Sequence, residues 1–144
     1  MEDRLAQLLQ AMEGRSEILI LPHNDPDPDA IASAVALRHL LAENACIEGH
    51  IRYKGIIGRA ENQALMRFLD RPLQRLTGSD LRQQWPIAMV DTQPGSGNNA
   101  LPAHLAPTLV FDHHPWRKET ETAAFADVRA GVGSTSTLLV EYLR

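Results

Sequence analysis

Three short apolar runs in this chain each stop at a carboxylate or an imidazole. Ile18-Leu19-Ile20-Leu21 runs into His23, Asp27 and Asp29. Ile87-Ala88-Met89-Val90 runs into Asp91, and Leu109-Val110-Phe111 runs into Asp112-His113-His114-Pro115. Unbroken aliphatic runs of this length are strands covered on both faces, the usual state of strands in a parallel sheet. In such sheets ligands bind outside the carboxyl ends of the strands. Three strands that each deliver an acidic or imidazole side chain at that end would build one site. Oxygen ligands mixed with imidazole, and no thiolate, suit a divalent cation such as manganese or magnesium.

The segments between these runs supply the rest of an α/β reading: three layers, αβα, around a mainly parallel sheet of about five strands with crossover helices. Leu5, Leu8, Leu9 and Met12 predict an amphipathic helix over 3–13, ended by Gly14. After a strand over 17–21, the loop 22–28 carries Pro22, Pro26 and Pro28 and is no helix interior. Asp29 is expected to cap a helix facing inward through Ala30, Ala34, Leu37 and Leu41. Residues 47–53 read as a second strand. Residues 59–69 read as a helix with Ala64, Leu65, Phe68 and Leu69 inward. A short strand is expected near 73–76, strands at 85–90 and 108–111, and an edge strand over 122–128. The stretch 93–99, rich in glycine and polar residues, reads as a mobile loop. A helix over 134–143 buries Leu138, Leu139 and Tyr142.

One domain accounts for the whole chain, 1–144. The single cysteine, Cys46, excludes an internal disulfide and a cysteine-type zinc site, and reads as a small strand residue. A cytoplasmic location is the expectation. No run approaches the ~20 apolar residues that cross a bilayer, so no membrane partner is expected. The net charge of −4 argues against a basic surface for duplex DNA. It leaves room for a phosphate substrate, because cations in an acidic cluster invert the local sign.

Four motifs in order carry a resemblance: His23-Asn24-Asp25-Pro26-Asp27-Pro28-Asp29-Ala30, Val90-Asp91-Thr92, Asp112-His113-His114-Pro115, and Gly133-Ser134-Thr135-Ser136-Thr137. Together they resemble the DHH phosphoesterase superfamily, over about residues 17–144. The resemblance implies two divalent cations, manganese first and magnesium as the alternative. His23 and Asp27 would bind one, Asp29 and His113 the other, and Asp91 both. It places His114 against the substrate phosphate as hydrogen-bond donor or general acid. Asp112 is expected to orient a histidine, as metal-binding imidazoles usually require. Gly133, Ser134 and Thr135 open a helix whose free amides and hydroxyls suit a substrate anion; simple capping by Ser134 is the rival reading. Asp25 reads as a solvated turn carboxylate, Arg117 and Lys118 as a solvated pair, and His39, His50 and His104 as structural or exposed.

The implied activity is hydrolysis of phosphoester bonds in short oligonucleotides or nucleoside bisphosphates. It would proceed by in-line attack of a hydroxide held between two cations. The wording of the first motif is nearest the branch of oligoribonucleases and 3′-phosphoadenosine 5′-phosphate phosphatases. Family members carry a further motif carboxylate and a smaller substrate-holding domain beyond the last helix. The sequence therefore reads as the N-terminal part of a longer two-domain protein. As an isolated chain it is expected to bind the first cation better than the second and to have little activity. Rival readings are a pyrophosphatase or cyclic-dinucleotide phosphodiesterase of the same superfamily, a non-catalytic module binding metal or nucleotide, and an α/β domain with chance acidic turns. A homodimer is an open expectation.

Overall fold

A computed structural model describes residues 1–144. The elements run α1 (Glu2–Ala11), β1 (Glu17–Pro22), α2 (Pro28–Ala45), β2 (Glu48–Tyr53), α3 (Ala60–Phe68), β3 (Gln74–Arg75), α4 (Gly78–Arg82), β4 (Ile87–Val90), β5 (Leu109–Asp112), a 3-10 turn (Lys118–Thr122), β6 (Phe125–Val128) and α5 (Thr135–Tyr142). One sheet holds all six strands in the order β3-β2-β1-β4-β5-β6. Every pairing is parallel, an arrangement that needs the long crossover connections this chain has between its strands. The short strand expected near 73–76 is the two-residue β3 at one edge, which brings the sheet to six strands where about five were expected.

The central strands β4 and β5 are buried along their full length, and β1 from its second residue on. From β1 the chain moves outward through β2 and β3, returns to the middle at β4, and leaves the other way through β5 and β6. The reversal lies between β1 and β4. Neighbouring connections diverge there, which opens a crevice at the carboxyl ends.

The larger core joins Ile18, Ile20, Val90 and Phe111 on one sheet face to Leu8 of α1, Ile31, Leu37 and Leu41 of α2, and Leu138 and Leu139 of α5. The other face presents Leu19, Leu21, Ile87, Met89 and Val110. Its cover is thin. The five-residue α4, held by a Thr77–Asp80 capping box, contributes Leu81, and the following loops contribute Trp85 and Leu101.

Several local expectations are corrected. Asp27, not Asp29, caps α2: its carboxylate accepts Ala30 N at 2.9 Å. Pro28 has no amide hydrogen and takes the first helical position, which moves the cap forward. Helix α3 turns Asn62 and Met66 inward; Ala64 is exposed and Phe68 is 86% exposed. Cys46 lies exposed at the C-terminus of α2 with φ 52°, not in a strand. Asp25 is more than a solvated carboxylate. It accepts Ile56 N at 2.6 Å and leaves no room for a Cβ at Gly55, where φ is +91°. Residues 118–122 form a 3-10 turn, so the edge strand begins only at Phe125.

Candidate metal centre

The carboxyl ends of β1, β4 and β5 bring His23, Asp27, Asp29, Asp91, His113 and His114 to one cleft of about 340 Å³, with no apolar residue in its lining. Asp91 is at its middle. It is buried, and its φ of +60° puts it in the left-handed region, which Asp and Asn tolerate best among residues with a Cβ. Asp91 N donates to Phe111 O at 2.9 Å, which fixes this kink at the end of β4.

Two imidazoles address Asp91 from opposite sides. His23 Nε2 lies 3.4 Å from Asp91 Oδ2 and 3.5 Å from Asp27 Oδ1. His113 Nε2 lies 3.5 Å from Asp91 Oδ1 and 3.8 Å from Asp29 Oδ2. Both rings spend Nδ1 on a backbone carbonyl: His23 on Asn24 O at 2.7 Å, His113 on Val132 O at 3.2 Å. A ring that donates through Nδ1 presents Nε2 as its ligand atom. Burial works against a charge on His23, yet hydrogen bonds to Asp91 and Asn24 and the charges of Asp27 and Asp91 push its pKa up to about 9.

Helix α5 closes the site from below. Its first free amides do hold an anion, and that anion is Asp29. Asp29 Oδ2 accepts Thr135 N at 2.9 Å and Oδ1 accepts Ser136 N at 2.8 Å. Burial opposes ionisation of Asp29, but these hydrogen bonds hold its pKa below the usual carboxylate range. Thr135 is fully buried and its hydroxyl donates to Asp91 Oδ1 at 2.8 Å, so it faces the central carboxylate, not a substrate. Ser134 caps α5 through Thr137 N; it and Gly133 reach the cleft wall.

Asp112 is buried and accepts His114 Nδ1 at 2.8 Å and His113 N at 2.9 Å. The hydrogen bond to Asp112 raises the His114 pKa against partial burial. His114 is thereby left with Nε2 as its unspent nitrogen. Donor atoms of Asp91, His113 and His114 lie close enough to share one ion, as do those of His23, Asp27 and Asp91. Two possible triads thus meet at Asp91. The donors are oxygens and imidazoles, while Cys46 sits at the other end of α2, so the set fits hard or borderline divalent cations.

Sequence reasoning missed Gln93. It is buried, and its Nε2 donates to Asp112 Oδ2 at 2.6 Å and Pro115 O at 3.0 Å. Its Oε1 accepts Arg117 N at 2.8 Å and Thr120 Oγ1 at 2.9 Å. The following residues are not the loose tract expected. Thr92, Ser96, Asn98 and Asn99 form a closed hydrogen-bond network of 2.6–3.1 Å contacts. Glycine and amide content signalled a loop; the dense side-chain bonding had no periodic signal. Of the unassigned histidines, His39 and His104 are exposed, and His50 stacks on Trp85 at 4.0 Å near the opposite ends of the strands.

Comparison with known proteins shows the family and the fold. The model of the DHH family, N-terminal domain, matches residues 17–144. An uncharacterized protein of Methanocaldococcus jannaschii is 40% identical over 132 residues, which is 91% of this chain and 26% of that protein. The chain therefore spans about a quarter of that relative's length. The crystal structure of an exopolyphosphatase-related protein from Bacteroides fragilis superimposes with a TM-score of 0.65 at 17% identity, covering 99% of this chain and 43% of that one. That likeness is one of fold. No helix is long and apolar enough to cross a membrane.

Proposed function

The chain belongs to the DHH family, and from that premise we propose that it is the metal-binding domain of a divalent-cation-dependent phosphoesterase. The observation that carries the reading is the pair of triads that share Asp91 at the switch point of the sheet. The triad His23, Asp27 and Asp91 would hold one cation. On the other side the atoms within mutual reach are those of Asp91, His113 and His114. The family resemblance puts Asp29 in place of His114 there, and His113 Nε2 lies 3.8 Å from Asp29 Oδ2, so we assign Asp29, Asp91 and His113 to the second cation and keep His114 for the substrate. Cations bound there supply Lewis-acid stabilisation of phosphoryl charge and acidify water, with manganese or magnesium suited to the donors.

The chain's own residues supply the rest. Asp91, with Oδ2 toward His23 and Oδ1 toward His113, would supply negative charge between two cations and offset their repulsion. His23 and His113 are oriented by backbone carbonyls, so their ligand atoms need no reordering on binding. His114, steadied by Asp112 and favouring its protonated form, donates to a phosphate or leaving oxygen through Nε2. The substrates we favour are short oligonucleotides and nucleoside bisphosphates. Phosphoanhydrides such as pyrophosphate are the comparison to run beside them.

Asp91→Asn tests the proposal, since Asn also accepts the left-handed backbone. The variant should keep its circular dichroism spectrum. It should bind manganese at least about tenfold more weakly by calorimetry and lose phosphoester hydrolysis, as loss of a shared ligand demands. Unchanged manganese affinity in a folded Asp91→Asn variant would overturn the proposal.

A further inference from the structure

A second cleft, of about 400 Å³, opens beside the metal centre and shares Asp91, Asn98 and His114 with it. Its outer wall is Trp116 and Arg117. Trp116 is 52% exposed, a large apolar surface that packs against no core residue of this chain. It is nonetheless firmly mounted. The carbonyl of Pro115 before it and the amide of Arg117 after it are both bonded to the buried Gln93 side chain, at 3.0 and 2.8 Å. An indole on backbone clamped at both flanks can pack a flat partner at little ordering cost. The Arg117 side chain pairs with no carboxylate, while the metal cleft next to it is acidic. Asn98 spends its carbonyl oxygen on Thr92 and Ser96, leaving its NH₂ to face a ligand where the two clefts join.

We propose that the Trp116–Arg117 cleft is a subsite for the nucleoside part of a nucleotide substrate. The base stacks on the indole, and Arg117 draws the attached phosphate toward His114. This rests on the phosphoesterase reading and deepens it, because an inorganic polyphosphate has no flat face to offer Trp116. Stacking is tolerant of base identity, so the subsite selects nucleotides from base-free phosphates without reading sequence.

Tryptophan fluorescence, excited beyond nucleotide absorption, reads the subsite directly. Trp85, the second tryptophan, is stacked on His50 and bonded to Glu17 near the opposite ends of the strands, so its emission serves as an internal constant. Adenosine 5′-monophosphate should quench saturably, while ribose 5-phosphate and tripolyphosphate should need at least about tenfold more ligand to bind. By calorimetry, Trp116→Leu should weaken adenosine 5′-monophosphate about tenfold and ribose 5-phosphate less than about twofold. Trp116→Phe, which keeps a ring, should hold most of the affinity. Equal affinity for adenosine 5′-monophosphate and ribose 5-phosphate, or an unchanged nucleotide affinity in folded Trp116→Leu, overturns the subsite. The two readings fail separately. Nucleotide binding through Trp116 together with unchanged manganese affinity in folded Asp91→Asn ends the phosphoesterase proposal alone; manganese binding lost in Asp91→Asn with no preference for a base ends the subsite alone.

Discussion

At the scale of single residues, the site depends on a side chain that meets neither cation nor phosphate. Gln93 uses both ends of its amide to tie the turn after β4 to the Asp-His-His segment, and it donates to the same carboxylate that steadies His114. Gln93→Leu removes both functions at similar size. It leaves Asp112 Oδ2 and the Arg117 amide without their partner, a cost of about 1–3 kcal/mol for each buried group left unpaired. Partners of this kind typically carry about 10–100-fold in activity. We expect kcat to fall in that range while manganese affinity at the His23 triad stays near the parent value. Urea denaturation, calorimetry and steady-state kinetics separate the three effects, and a loss of KM alone would count against a positioning role. Nothing in the sequence marks Gln93, because its partners lie 19 to 27 positions away and glutamine after a strand is unremarkable. His23, Asp91 and His113 were legible for the opposite reason: each follows an apolar run whose length and burial fix where it ends.

Among elements, a single buried carboxylate holds three together. Asp127 of β6 pairs with Arg4 of α1 at 2.9 Å and with Arg129 at 2.7 Å, and accepts the hydroxyl of Tyr142 in α5. Burial would raise its pKa, but Arg129, Tyr142 and Arg4 hold it below the usual range. A carboxyl whose folded pKa is depressed contributes stability above its unfolded value of about 3.9, and loses that contribution as pH falls through the folded one. Asp127→Asn should therefore destabilise the fold at pH 7 by about 1–3 kcal/mol. The variant should lose less further stability than the parent between about pH 5 and 3, where the unfolded chain takes up a proton at Asp127 that the folded parent does not. Urea midpoints at the two pH values check this; equal acid sensitivity of variant and parent would refute it. Helix α3 shows where element-level reading failed. Its apolar residues Leu65, Phe68 and Leu69 drew the inward face onto Phe68, but the helix ends there, and left-handed Asp70 and Arg71 turn the chain away toward β3. Leu65 and Leu69 do pack against the core, while Asn62 and Met66 take the inward places expected of Ala64 and Phe68; Asn62 is a buried amide that no hydrophobic pattern announces.

For the whole molecule, the parallel sheet was readable because buried strands leave unbroken aliphatic runs, and helical spacing between them forces crossovers. The strand order was not, since apolar runs mark each strand without marking which neighbours it pairs with. The order matters most for electrostatics. By reversing between β1 and β4, it gathers four carboxylates, Asp27, Asp29, Asp91 and Asp112, at one rim. Helix amides and Gln93 offset two of these; a proton on His23 offsets part of the rest while no cation is bound. A cation must displace that proton, because a ligating imidazole is neutral. With the His23 pKa at about 9, apparent manganese affinity should rise by up to about tenfold per pH unit below that value and level off above it. Binding should also stabilise the fold as a whole, by about 2.7 kcal/mol when free cation reaches a hundred times its dissociation constant. Calorimetry at pH 6, 7 and 8 in buffers of differing ionisation enthalpy counts the released protons directly. His23→Gln should abolish the pH slope along with most of the affinity; an affinity flat from pH 6 to 8 in the parent would mean that His23 carries no proton for the cation to replace.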